Sequence, residues 1–168
     1  MNTPIRIGYG CDIHRLVEGR PLYLCGCLIP HNKGLLGHSD ADAAVHALID
    51  AMIGALALGD IGHFFPDNDP AYKGASGEFL LKATLAHPAF QDWELGNVDL
   101  TIIAQKPKMA PHIMKMRNRL AELLNCPVEN VSVKAKTAEK LDSVGAELAI
   151  EVRCVVLLYR RNDSAANH

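Results

Sequence analysis

Apolar and polar residues alternate from Ile5 to Ile13 around Gly8 and Gly10, a period of two that predicts a first strand. Two short apolar runs between Arg20 and Pro30 meet at Gly26 and predict a β-hairpin. Lys33 to Gly37 holds two glycines and is expected to be a loop. The run Ala41 to Leu58 is rich in Ala, Leu, Ile and Met and predicts a largely buried helix. Ser39 is expected to cap it, Asp40 and Asp42 to complement its dipole, and Gly59 to end it. The stretch Asp60 to Gly77 is dense in Gly, Pro, Asp and Asn, and a loop of that length points to function. Further helices are expected from about Ser76 to His87, stopped by Pro88, and from Pro111 to near Asn125. Strands are expected over Gly96 to Gln105, Val131 to Ala135 and Leu148 to Tyr159.

This order predicts an α+β fold: a four-stranded mixed sheet with helices on one face, plus a small β-hairpin. Residues 1–160 form one domain in this reading, and 161–168 a disordered tail. The last strand is apolar on both faces, so a partner subunit is a natural cover for its outer side.

Composition narrows the function classes. The chain of 168 residues has 17 Lys and Arg against 19 Asp and Glu, a formal charge of -2 that gives no basic excess for nucleic acid. The five cysteines are odd in number and form no CxxC pair, which favours reduced thiols. Cys25 and Cys27 alternate and are expected on one strand face. The absence of a basic, apolar leader and of a long apolar run points away from membranes. A bacterial cytoplasm is the expected compartment, with a plastid stroma as the second choice.

Chemistry gathers at two places. Asp12 and His14, two apart, share a strand face, and His46 lies on the first helix. One carboxylate and two imidazoles suit zinc with an open fourth position, and Asp42, one turn before His46, is expected to orient that imidazole. In a chain with eight histidines a lone D-x-H is a weak signal. Polyanion binding is the second theme. His38 and Ser39 precede a helix start, whose amides and dipole attract anions. Lys134, Lys136, Thr137 and Glu139 follow a strand, where Glu139 suits a hard cation such as Mg²⁺. The backbone of Lys106 to Ala110 is exposed enough to read a base edge. Each of these clusters alone also fits an ordinary solvated surface.

Six segments in order carry a resemblance. They are Gly10-Cys-Asp-Ile-His-Arg-Leu, Lys33-Gly-Leu-Leu-Gly-His-Ser-Asp-Ala-Asp, Ala57-Leu-Gly-Asp-Ile-Gly, Phe65-Pro-Asp-Asn-Asp-Pro, Asn97-Val-Asp-Leu-Thr-Ile-Ile-Ala-Gln-Lys-Pro-Lys-Met and Val133-Lys-Ala-Lys-Thr-Ala-Glu-Lys-Leu. From Arg6 to about Leu158 the chain resembles the 2-C-methyl-D-erythritol 2,4-cyclodiphosphate synthase family. The resemblance implies a homotrimer with active sites between subunits. It also implies cyclisation of 4-diphosphocytidyl-2-C-methyl-D-erythritol 2-phosphate with release of CMP, in the non-mevalonate route to isoprenoid precursors. It implies zinc at Asp12, His14 and His46, and Mg²⁺ or Mn²⁺ at Glu139. His38 and Thr137 are implied as catalytic residues, with Ser39 beside the phosphate. Asp60, Ile61 and Gly62, under a loop of Phe65, Pro66, Asp67, Asn68 and Asp69, are implied around the methylerythritol. Ala104, Gln105, Lys106, Pro107, Lys108, Met109 and Ala110 are implied for the cytosine, and Lys136 and Ala138 for the diphosphate.

The segment Asp142-Ser-Val-Gly-Ala-Glu-Leu-Ala departs from that family's pattern: an aromatic, an arginine and two glycines are replaced. Two other readings remain at this point: a zinc phosphohydrolase of nucleoside diphosphate compounds, and a trimeric binding protein with a structural zinc. No general base is evident beside the proposed zinc for the first, and no fourth protein ligand for the second.

Overall fold

A computed structural model describes residues 4–66 and 68–161. The elements in chain order are β1 (Ile5–Glu18), β2 (Leu22–Leu24), β3 (Cys27–Ile29), β4 (Lys33–Leu35), α1 (Ala43–Ala55), α2 (Ile61–Phe64), α3 (Gly77–Ala86), β5 (Trp93–Ile103), α4 (Ile113–Leu124), β6 (Val131–Lys136), α5 (Asp142–Gly145) and β7 (Ala149–Arg160). The α+β class is as expected, but the sheet has five strands rather than four, in the order β4-β1-β7-β5-β6. Only β5 and β6 run parallel; the other pairings are antiparallel. The hairpin forms a separate two-stranded sheet.

The fifth strand is β4, cut from a segment whose glycines suggested a loop. Gly34 allows it: a Cβ there would sit 2.2 Å from the Pro21 carbonyl oxygen and 2.4 Å from that of Arg20. Without a side chain, β4 can pass against the Arg20–Pro21 turn and pair with the end of β1 through Leu16, Val17 and Glu18. That pairing is why β1 runs to Glu18 and not only to Ile13.

Helix α1 is shorter than the apolar run suggested, because Ala41 and Ala57 both have φ near +57°. The N-cap is Asp42, not Ser39. Its carboxylate accepts from the amides of Ala44 and Val45, and across the fold from those of Cys25 (3.0 Å) and Gly26 (2.6 Å) in the hairpin turn. One buried carboxylate thus caps a helix and fastens the hairpin to it. Cys25 lies in that turn at φ +56° and Cys27 on β3, so the two do not share a strand face; both are buried.

Ten of the thirteen residues of α1 are buried, which makes it a core helix rather than a surface one. Each large side chain among them, such as Leu48, Ile49 and Ile53, contributes about 2 kcal/mol. The helix lies directly on β1, where Gly8 and Gly10 leave no room for a side chain. A Cβ at Gly8 would fall 1.8 Å from the Ala51 carbonyl oxygen, and one at Gly10 2.1 Å from that of Ala47.

The other expected helices form with small shifts. Ser76 caps α3, Asn125 closes α4 in the left-handed conformation, and α5 was not anticipated. Asp60 to Gly77 carries α2 and a 3-10 turn at Pro70–Tyr72. Arg161, the first residue of the expected tail, donates its amide to the Asp92 carbonyl at 2.8 Å. The rest of that tail, residues 162–168, lies outside the described residues. On the sheet face away from α1, Ile7 is 69% exposed, and Ile5, Tyr9, Ile13, Val155 and Tyr159 lie open beside it.

Candidate metal centre and substrate cleft

The close approach of α1 to β1 builds the centre. Asp12 and His14 point from one face of β1, and His46 comes down on them from the helix. Asp12 Oδ2 lies 2.8 Å from His14 Nε2 and 3.1 Å from His46 Nδ1. The imidazole centroids are 5.5 Å apart, and the three donor atoms all fall within 4.8 Å of one another. Each imidazole is held by its other nitrogen. His14 Nδ1–H donates to the Leu36 carbonyl at 2.7 Å, and His46 Nε2 meets Ser39 Oγ at 3.2 Å.

These residues fit a divalent ion. One carboxylate oxygen and two imidazole nitrogens converge, and the opposite ring nitrogens are tied by oxygen partners that hold both rings, the Leu36 carbonyl also fixing the His14 tautomer. Three protein donors leave coordination positions for a substrate oxygen. Asp42 is not the group that orients His46: it is fully buried in the cap described above, and Ser39 takes that place. The helix N-terminus is not an anion site either, because the Asp42 carboxylate occupies its amides.

Burial opposes charge on Asp12, but the hydrogen bonds and charges of His14 and His46 outweigh it and hold the carboxyl well below its ordinary value. Burial also opposes charge on His14. The Asp12 hydrogen bond and charge, with the Leu36 carbonyl, still raise it above the ordinary 6.5. In the metal-free protein the pair therefore favours imidazolium beside carboxylate, and a divalent ion bound here would take the place of that proton.

A cleft of about 620 Å³ opens beside the centre. It brings together Asp12, His14, His46, His38, Ser39, Ile61, Gly62, Phe65, Pro66, Asn68 and Asp69 from the sequence reading. Asp60 caps α2 at its edge, accepting from the His63 amide at 2.8 Å. Asp67 lies outside the described residues. Gly74 N–H donates to the His38 carbonyl, and Asp40 N–H to that of Ala75, so the 60–75 segment is tied to the His38–Ser39 loop. Asp50, Tyr72, Lys73 and Leu80, which carry no motif in the sequence, also line the cleft. Asp50 had a signal: it follows His46 by one helical turn, and its Oδ1 accepts the Ile61 amide at 3.0 Å.

The remaining residues gather elsewhere in the chain. Ala104 N–H donates to the Lys136 carbonyl, and Lys140 N–H to Gln105 Oε1, so Ala104 to Ala110 and Lys136 to Glu139 form one cluster. Thr137 donates its hydroxyl to Glu139. Lys106 pairs with Glu147 at 3.1 Å, a contact made by the segment that departs from the family pattern. Among the described residues, none of this cluster lines the cleft.

An α+β sheet that holds an open carboxylate and bis-imidazole set beside a cleft fits an enzyme of small-molecule chemistry with a candidate site for a divalent ion. The chain belongs to the YgbB family, whose sequence model matches residues 5–159. It is 54% identical over 156 residues to the 2-C-methyl-D-erythritol 2,4-cyclodiphosphate synthase of Bacillus cereus strain B4264, spanning 93% of this chain and 99% of that one. A solved CDP-bound 2C-methyl-D-erythritol-2,4-cyclodiphosphate synthase matches with a TM-score of 0.84 at 44% identity, covering 91% of this chain and 99% of the other. The Plasmodium falciparum IspF in complex with CDP matches with a TM-score of 0.83 at 34% identity, over 96% and 100% of the two chains. No helix among the described residues is long and apolar enough to cross a membrane.

Proposed function

We propose that this chain closes 4-diphosphocytidyl-2-C-methyl-D-erythritol 2-phosphate into 2-C-methyl-D-erythritol 2,4-cyclodiphosphate and releases CMP. The observation that carries this reading is the Asp12–His14–His46 donor set opening into the cleft, in a chain 54% identical to a synthase of that name. In the reaction an oxygen of the 2-phosphate bonds to the β-phosphorus of the same molecule. The bond from that phosphorus to the bridging oxygen breaks, and CMP departs with the electron pair.

Asp12, His14 and His46 would hold zinc and Glu139 would hold Mg²⁺ or Mn²⁺, and these ions would supply positive charge that lets two phosphate anions approach. The chain does the rest by positioning. His38 and Ser39 hold the attacking phosphate. Asp60, Ile61 and Gly62 hold the methylerythritol hydroxyls, beneath Phe65, Pro66, Asp67, Asn68 and Asp69. Lys136, Thr137 and Ala138 hold the diphosphate, with the Thr137 hydroxyl donating to the charge that develops there. Backbone groups of Ala104 to Ala110 read the cytosine edge.

The working unit in this reading is a homotrimer. Among the described residues the cleft and the 104–110/136–139 cluster are separate, and the apolar outer face of β1 and β7 lacks a cover. Three copies meeting on that face bury it and set the cleft of one against the cluster of the next. Residues 1–160 act as one domain, and the bacterial cytoplasm is its compartment.

Phosphorus NMR of the protein with this substrate, zinc and magnesium tests the reaction. A cyclic diphosphate appearing together with CMP, and lost in His46→Ala, is the expected result. CMP with only linear phosphates would establish hydrolysis instead, and no turnover would leave a binding role.

A further inference from the structure

Arg20 lies on the turn between β1 and β2, outside the cleft and outside every segment assigned above. Its Nη2 donates to the Ser39 carbonyl at 3.0 Å, while its Nε is buried with no partner among the described residues. The root of this side chain is fixed. Gly34 on β4 packs bare against the carbonyls of Arg20 and Pro21, and β4 itself is paired with β1. Arg20 therefore spans from a clamped turn to a loop that has no regular structure of its own.

Ser39 is held at three points. Its carbonyl takes the Arg20 bond, its Oγ accepts the Ala41 amide at 3.0 Å, and the same Oγ meets His46 Nε2. His46 in turn faces Asp12 through Nδ1. For Nδ1 to act as a metal ligand it must be bare, so the ring proton sits on Nε2 and the Ser39 hydroxyl oxygen accepts it. The ring is thus only as well oriented as Ser39. Of the three ties on Ser39, the Arg20 bond alone comes from outside the 38–46 segment, and the guanidinium holds its planar geometry better than an ammonium does.

We infer that Arg20 is a positioning residue: through the Ser39 carbonyl it sets the orientation of His46, and with it metal affinity and the placement of the attacking phosphate. This rests on the reading of Asp12, His14 and His46 as metal ligands. Its effect passes through Ser39, so it depends on the presence of the Ser39 hydroxyl.

The test uses the full-length protein. Zinc affinity is measured by competition with a chromophoric chelator, and the visible spectrum of the cobalt(II)-loaded form reports the coordination. Arg20→Met is expected to weaken zinc binding about tenfold and to alter the cobalt bands. Arg20→Lys should fall between, since it keeps the charge but not the fork. In steady-state assays both variants should raise KM as well as lower kcat. If Arg20→Met does not fold, Arg20→Lys is compared in the wild-type and Ser39→Ala backgrounds; its effect on zinc affinity should vanish in the second. Zinc affinity and cobalt spectrum unchanged in the variants would overturn the inference, as would equal effects in both backgrounds. A wild-type protein that binds zinc but makes no cyclic product would instead overturn the proposed reaction and leave this inference standing.

Discussion

His46 Nδ1 and Asp12 Oδ2 lie 3.1 Å apart although 34 positions separate them in the chain. Nothing local joins them. The distance is set by two glycines of β1 that let α1 rest on bare backbone, and by the Ser39 hydroxyl behind the imidazole. Removing the imidazole should abolish the function while sparing the fold, because the His46 side chain, though only 12% exposed, lines the cleft and is not part of the apolar core. His46→Ala is expected to retain its circular dichroism and to lose roughly a hundredfold or more in kcat/KM. Its zinc content should fall with it.

The glycines themselves offer a sharper test of that distance. Gly10→Ala drives a methyl group against the Ala47 carbonyl oxygen, which is helix backbone and cannot swing aside. The expected cost is about 3 kcal/mol or more in urea denaturation. Zinc affinity should fall even under conditions where the variant is folded, because α1 carries His46 away from Asp12. Gly74→Ala serves as a comparison. Its φ is +73° with open space around it, so only backbone strain of about 1 kcal/mol is expected, with zinc binding intact.

Much of this architecture can be read from the sequence. Alternation marks β1, β5 and β6, an apolar run marks β7, and the Ala-rich run marks α1, because period and burial act on every residue of those segments. The pairing of Asp12 and His14 follows from the same period of two. Other features depend on contacts between distant parts. Gly34 looks like a loop residue until the Arg20–Pro21 turn is placed against it, which hides β4 and leaves the sheet one strand short. Asp42 looks like a partner for His46 by helical spacing, yet the amides of Cys25 and Gly26 claim it. Ser39 looks like the helix cap, but Ala41 in the left-handed region starts the helix later and frees the Ser39 hydroxyl for His46. Lys106–Glu147 was invisible because it joins two loops without periodicity.

Asp42 should therefore matter for stability more than for chemistry. Its carboxylate accepts four backbone amides while fully buried. Asp42→Ala leaves those donors without partners and loses the cap, at an expected cost of about 3 kcal/mol. Asp42→Asn keeps one acceptor oxygen and should cost less. Urea midpoints of the two variants, with zinc affinity measured on the folded fraction, distinguish this role from a direct part in the metal centre.

The metal-free and zinc-loaded proteins should respond to pH in opposite directions. In the metal-free fold the pKa of His14 is raised above 6.5, so its stabilisation is complete below that value and is lost as pH rises through the folded value. Asp12 is depressed below 3.8, so its contribution is present above that value and is lost as pH falls through the folded one. Zinc requires neutral imidazole, so its stabilisation grows with pH over the range where the metal-free protein weakens. Urea midpoints at several pH values, with chelator and with zinc, check this. His14→Gln, which removes the titrating group, should flatten the upper limb of the metal-free curve.

Assembly of the site from two chains has its own signature. His46→Ala disables the cleft but leaves the 104–110/136–139 cluster intact, and Glu139→Gln does the reverse. If the cleft of one copy works against the cluster of the next, a trimer containing both variants has one interface in which each part is wild type. Random mixing makes three-quarters of the trimers mixed, with one good site of three. Equal co-expression should then recover about a quarter of the wild-type activity, although each variant alone is nearly inactive. Sites contained within single chains would give no recovery. Ile7→Asp, which puts a charge on the exposed apolar face, should abolish the recovery by preventing assembly, and sedimentation would then show monomers.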